Sequence, residues 1–278
     1  MYPPGRNLLI FPDDVFLVTF PRSGNNWMRF LLANLLFPEQ SVTLVDLHRL
    51  VPDLINGWKR DFDRLHRPRI IRSHECFDPR YPRVIYMVRD PRDVVISQHH
   101  YHRKLRKVED DFPIEKFVDR FLAGETSSHA SGSWGENIQT WLGTREGDPR
   151  FLFMRYEDMI ADPQCGLRKT ADFLGISPTA AEIATAVERS SADRMRKMER
   201  EQHDQWAFTK GSRKDLMWLR SAKAGGWRSE LAPPLVAKIE AAWAPLMRHL
   251  GYELTTMDAN TVERFTPLAM GGAVGSRA

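Results

Sequence analysis

Apolar and polar positions along this chain fall into a recurring figure: a short β-branched apolar run, a tight turn, then apolar residues at helical spacing. The clearest instance begins with Val15-Phe16-Leu17-Val18-Thr19-Phe20, a run suited to a strand buried on both faces. Pro21 ends it, Gly24 permits a sharp turn, and Asn25 or Asn26 offers a cap for a helix over 27–36. The figure returns downstream. Val84 to Val88 reads as a strand, Asp90 as an N-cap and Pro91 as a first-turn helical residue. Arg89 then stands at the strand's carboxyl end, with Ser97 inside the following helix. A short strand over 69–73 stops just before His74, and another over 150–155 runs into Tyr156. The spacing predicts helices over 113–122, 134–144, 163–174, 178–189, 192–201 and 233–250. Residues 202–226 mix charge, aromatics and glycines, and read as a mobile loop that carries Arg220 over the site. Strands alternating with helices predict an α/β fold, a central parallel sheet flanked by helices.

The first turn carries chemistry. A helix N-terminus aimed out of a strand end presents free backbone N–H groups and a positive dipole end, which together favour an anion such as phosphate. Arg22 adds a cation and Ser23 a hydroxyl donor. The loop is not a Walker A motif, because the first glycine is missing and no Lys-Ser/Thr follows Gly24. Ligands of open parallel sheets bind beyond the carboxyl ends of the strands, so two such corners suggest a ligand with two separated anionic groups.

At this point the chain resembles the sulfotransferase family. Phe20-Pro21-Arg22-Ser23-Gly24-Asn25-Asn26-Trp27 is similar to that family's 5′-phosphosulfate loop, and Arg89-Asp90-Pro91-Arg92-Asp93-Val94-Val95-Ile96-Ser97 to its 3′-phosphate motif. Arg72-Ser73-His74 is similar to the segment that carries the catalytic base. Gly132-Ser133-Trp134, Phe153-Met154-Arg155-Tyr156-Glu157-Asp158-Met159, Arg220 and Gly225-Gly226-Trp227-Arg228 follow family habits as well, so the likeness spans roughly residues 13–250. It implies a P-loop-like domain that transfers a sulfuryl group from 3′-phosphoadenosine 5′-phosphosulfate to a hydroxyl or amine, with adenosine 3′,5′-bisphosphate as product and no metal. Arg22, Ser23, Gly24, Asn25 and Asn26 would cradle the 5′-phosphosulfate, and Trp27 would stack on the adenine. Arg89, Ser97 and Arg220 would hold the 3′-phosphate. Tyr156 and Ser190 match positions at or near the adenine, and His74 would be the general base.

The chemistry supports those residue types independently. Sulfuryl transfer resembles phosphoryl transfer, so catalysis is mostly positioning and charge stabilisation. Arg22 is placed to stabilise the leaving oxygen, a near-neutral histidine can take the acceptor's proton, and Arg72 shares a strand face with His74. Three departures stand out. Arg22 replaces a usual lysine and so acts by charge, not as an acid. Arg220-Ser221-Ala222 replaces an Arg-Lys-Gly triplet, and Ala192 an aromatic that stacks on adenine. The family's dimerisation motif is not recognisable over 227–241, which leaves the oligomeric state open.

Composition narrows the rest. The chain has 278 residues, 42% apolar, with a net charge of +4, enough for one sizeable core and mild enough to make a nucleic-acid partner a poor expectation. No linker divides it, so one domain is expected over 13–253, with a segment 1–12 before it and a tail 254–278 that is partly disordered. Cys76 and Cys165 lack metal or disulfide spacing. No run of 18 apolar residues occurs, so the expectation is a cytoplasmic protein with no membrane partner. His99-His100-Tyr101-His102 invites a metal reading, but a third ligand is not evident. The acceptor, a small molecule or a carbohydrate-like one, falls to loops over 41–67, 76–82, 101–113 and 202–218. These loops carry Trp58, Phe62, Phe77, Tyr101, Phe112, Trp206 and Phe208. Two other readings remain: a catalytically silent nucleotide-binding protein, and an ATP-dependent P-loop kinase.

Overall fold

Four parallel strands, β1 (Val15–Thr19), β2 (Ile70–Ser73), β3 (Arg83–Val88) and β4 (Phe151–Arg155), pair in the order β2-β1-β3-β4. The computed structural model describes residues 8–55, 62–65, 67–206 and 209–256. Trp58, Phe208, residues 1–7 and the tail from 257 lie outside the described residues.

Alternate side chains of each strand enter opposite cores. Phe16, Val18, Ile71, Val84 and Tyr86 pack on one face. They meet α3 (Pro91–Lys104), α4 (Ile114–Leu122), α5 (Trp134–Arg145) and α10 (Pro233–His249). Val15, Leu17, Ile70, Ile85 and Met87 pack on the other. There they meet α1 (Asn25–Leu36), α6 (Tyr156–Ala161), α7 (Pro163–Leu174) and α8 (Ala180–Arg189). Two covered faces explain why β1 and β3 read as nearly unbroken apolar runs. A third cluster joins Phe30 of α1 to Leu47 of the short α2 (Leu47–Leu50) and to Met195 of α9 (Ala192–Gln202). Among the described residues no helix is long and apolar enough to cross a membrane.

The register aligns the strand exits. Val18 is level with Ser73, Thr19 with Met87, and Val88 with Arg155. The chain therefore leaves all four strands at one rim, into Phe20–Gly24, His74, Arg89 and Tyr156. Connections from β1 to β2 and from β2 across to β3 place the reversal of strand order between β1 and β3, the usual binding crevice of an open α/β sheet.

Two helix expectations are corrected. The first helix begins at Asn25, so its N-cap is Gly24 and not an asparagine. The last is interrupted: Trp243 has non-helical φ and ψ because Pro245 lacks an N–H and its ring crowds the preceding turn. That break lets the Trp243 indole sit against α5, where a Cβ at Gly135 would lie 2.5 Å from its nitrogen.

Candidate active site

The β1 turn is built from unusual backbone. Arg22 has φ 73° and Gly24 φ 96°, two left-handed residues around a single serine. An L side chain at Gly24 would pay twice, since a Cβ there would meet the Tyr156 ring at 2.5 Å and Met87 Sδ at 3.1 Å. Gly24→Ala is expected to lose roughly 1–3 kcal/mol of stability and to weaken nucleotide binding by pushing Tyr156 aside. Gly143→Ala, with open space around its Cβ, is expected to be neutral or slightly stabilising. Chemical denaturation of both variants checks this, and an unperturbed Gly24→Ala contradicts it.

Arg22 Nε donates to Ser97 Oγ at 3.1 Å, and Nη2 to the Trp218 carbonyl at 3.0 Å. Its guanidinium also lies over the rings of Tyr101 and Trp218, 4.9 and 4.7 Å from their centroids. Burial lowers its pKa to about 10, so it stays charged at neutral pH. Asn26 Oδ1 accepts from Arg29, a fully buried cation that otherwise donates to the Leu47 and Val51 carbonyls. Trp27 and Tyr156 meet edge to face at 5.8 Å and both line the cavity.

At the β3 corner Asp90 caps α3, accepting from the Arg92 N–H at 2.9 Å, with Pro91 at the first helical position. Arg92 is spent on structure, pairing with Asp90 and with the buried Glu240. Arg89 donates to the carbonyls of Arg22 and Lys223 and lies 4.4 Å over the Tyr156 ring. Ser23 Oγ, Asn25 Oδ1 and Arg89 Nε are buried with no hydrogen-bond partner. Buried polar groups are seldom left unmade, and three around one crevice fit a polar ligand.

His74 Nδ1 lies 2.6 Å from the Thr19 carbonyl, so Nδ1 carries the proton and Nε2 the lone pair. Arg72 Nη2 contacts Nε2, and Arg72 is itself held in an ion pair by Asp53. Burial, then the charge on Arg72, holds the His74 pKa well below its usual value. Asn137, fully buried, donates to the His74 and Ser131 carbonyls at 3.1 and 3.0 Å and so fixes the exit of β2.

The described residues 209–226 are tied down at several points. Lys104 donates to the Arg213 and Leu216 carbonyls, Glu199 accepts from the Trp218 and Leu219 N–H groups, and Asp93 accepts from those of Gly225 and Trp227. Arg220 lines the cavity while pairing with Glu230 at 2.5 Å. Ala222 has φ 54°, the left-handed backbone for which glycine is the default residue.

One cavity of about 540 Å³ gathers Arg22, Gly24, Asn25, Asn26, Trp27, Arg72, His74, Arg89, Ser97, Tyr156 and Arg220. Ser23 lies buried beneath the loop. Ser190 is not brought to the cavity: it is fully buried, and its Oγ accepts from Asn34 at 3.1 Å beneath α1. The acceptor aromatics are also redistributed. Phe62 and Trp206 are buried in the core, Phe77 packs on Trp141, Phe112 packs on Phe117, and Tyr101 reaches the cavity. His99, His100 and His102 each direct Nε2 at a backbone carbonyl, of Phe112, Met217 and Thr126. Asp53, Gln98, Asn137 and Trp218 are site residues that the sequence reading missed.

Comparison with known proteins gives a consistent result. The Sulfotransferase domain family matches residues 12–251. Flavonol 3-sulfotransferase of Flaveria bidentis is 26% identical over 251 residues, 82% of this chain and 80% of that protein. The amine sulfotransferase of Oryctolagus cuniculus is 26% identical over 79% of this chain and 75% of its own. Among solved structures, retinol dehydratase in complex with retinol and PAP superposes with TM-score 0.74 at 17% identity, covering 88% of this chain and 84% of that one. Mouse sulfotransferase SULT7A1 complexed with PAP gives 0.68 at 24% identity, covering 86% and 85%.

Proposed function

The chain belongs to the sulfotransferase family, and from that premise we propose that it moves a sulfuryl group from 3′-phosphoadenosine 5′-phosphosulfate to the hydroxyl of a small acceptor, with His74 as base. The observation that carries the reading is the convergence of His74, Arg22 and Arg89 on one cavity at the strand-order reversal. The donor supplies an activated sulfur and a phosphate leaving group. The Arg22–Trp27 loop would hold its 5′ end, with Ser23, beneath the loop, and Asn25 offering unpaired polar atoms. Arg89, Ser97 and Arg220 would hold the 3′-phosphate, and Trp27 and Tyr156 would flank the base. Ser190 acts on this site only through α1.

His74 Nε2 takes the acceptor proton as the new O–S bond forms and the bridging S–O bond breaks. The electron pair departs to the 5′-phosphate, where Arg22 meets it as a fixed positive charge. Arg72 must first release Nε2. Asp53 holds it close by, where its charge can serve the sulfuryl oxygens. A bound polyanion offsets the repulsion among Arg22, Arg72 and His74 and so raises the His74 pKa toward neutrality.

Incubating the protein with the donor and varied hydroxyl acceptors, and following release of adenosine 3′,5′-bisphosphate, tests this. Acceptor-dependent release that is lost in His74→Ala is expected. Tight donor binding with no release over any acceptor favours a silent binding protein. Arg89→Ala is expected to lose tenfold or more of the preference for adenosine 3′,5′-bisphosphate over ADP, since a hydrogen bond to a charged group contributes about 1.5–3 kcal/mol. An unchanged preference removes Arg89 from the 3′-phosphate.

A further inference from the structure

The cavity that holds His74 is also lined by a set of polar residues outside the donor motifs: Gln98, Thr126, Ser127, Ser128 and Ser131. Gln98 and Asn137 fix the position of this set. Gln98 Nε2 reaches the Pro21 carbonyl at 3.5 Å, and Gln98 Oε1 accepts from Thr126 Oγ1 at 2.6 Å. Asn137 bridges the carbonyls of His74 and Ser131. Residues 126–131 therefore lie beside both the donor loop and the base. The Ser127 hydroxyl donates to the Gly132 carbonyl, which leaves its lone pairs to accept. Ser128 and Ser131 share one hydrogen bond at 2.8 Å, which leaves one O–H to donate.

Lys107 and Arg120 also line the cavity, and both lie close enough to the buried His102 that, after burial itself, their charges help lower its pKa to about 4. His102 is therefore neutral there. Glu125 lies 3.6 Å from Arg120 and offsets one charge. Lys107 is exposed at the cavity mouth, and among the described residues its ammonium has no hydrogen-bond or ion-pair partner, so the mouth keeps one positive charge that the protein does not neutralise. A flat apolar phenol would engage neither that charge nor the serine hydroxyls, whereas a hydroxyl-rich anion would gain contacts with both.

We propose that the acceptor is a hydroxyl-rich carboxylate of the sugar-acid type, its carboxylate toward Lys107 and Arg120 and a hydroxyl toward His74. This deepens the sulfotransferase reading and rests on it for the chemistry, though not for the binding. The test is calorimetric binding of methyl glucuronide, methyl glucoside and 2-naphthol to the protein saturated with adenosine 3′,5′-bisphosphate, repeated with Lys107→Gln. Methyl glucuronide is expected to bind tenfold or more tightly than the neutral glucoside and more tightly than 2-naphthol. Lys107→Gln is expected to erase the preference over the glucoside, with affinity for the bisphosphate unchanged as evidence of intact folding. Equal binding of the two sugars, preference for 2-naphthol, or a preference that survives Lys107→Gln overturns the proposal and leaves the donor reading intact. Failure to bind the bisphosphate overturns the donor reading instead, and the same sugar comparison on the free protein then decides the acceptor class.

Discussion

His74→Ala is expected to lower kcat by roughly 10²–10⁴-fold, the usual worth of a positioned base, with affinity for adenosine 3′,5′-bisphosphate almost unchanged. The split follows from geometry. His74 hydrogen-bonds to the Thr19 carbonyl through Nδ1 and turns Nε2 to the acceptor once Arg72 releases it, while the anion-holding groups are Arg22, Arg89 and Arg220. The pH profile gives a second readout. Burial and the Arg72 charge hold the free protein's His74 below its ordinary 6.5, so it is neutral at pH 7 and ready to accept a proton. The acid limb of kcat/KM, which reports the free enzyme, should therefore lie below pH 6.5. The limb of kcat should lie higher, because bound donor offsets the surrounding guanidinium charge. Arg72→Ala should move the kcat/KM limb upward by removing a repulsive neighbour. A kcat that survives His74→Ala removes the residue as base.

Arg22→Ala is expected to cost roughly 10²–10³-fold in kcat, on the scale of losing one preorganised group at a developing oxyanion, with less than tenfold lost in donor affinity. Arg22 is desolvated yet still charged, and it is oriented by Ser97, by the Trp218 carbonyl and by two aromatic faces. A charge fixed in this way needs little reorganisation as the leaving phosphate develops its own. Arg22→Lys should recover only part of the loss. Lysine keeps the charge but cannot span Ser97 and Trp218 with a planar fork. An effect confined to binding would reassign Arg22 to ground-state anchoring of the donor.

The two strand–turn–helix corners of the candidate site were legible because their determinants are local. A strand, Gly24 and a helix start lie within a dozen residues, and so do the end of β3, Asp90 and Pro91. Residues that arrive from far along the chain left no such trace. Asp53 reaches Arg72 through an isolated bridge beside β2, where the Arg72 N–H donates to the Pro52 carbonyl. Trp218 reaches Arg22 through a segment with no regular period. Aromatics in polar stretches misled for the same reason. Phe62 and Trp206 sit among charges in sequence, yet they are buried because the chain folds back onto the core. Ser190, at the end of α8, is covered by α1 through Asn34, a contact 156 residues away in sequence. Pro245 was visible, but its break at Trp243 depended on the space above Gly135.

Calorimetric titration of adenosine 3′,5′-bisphosphate against ADP, each with and without Mg²⁺, tests the central claim most directly. Three arginines on one cavity, Arg22, Arg89 and Arg220, predict tight binding of the bisphosphate, unaffected by Mg²⁺ and well above that of ADP. Preference for ADP, strengthened by Mg²⁺, would contradict the account and return the crevice to a kinase.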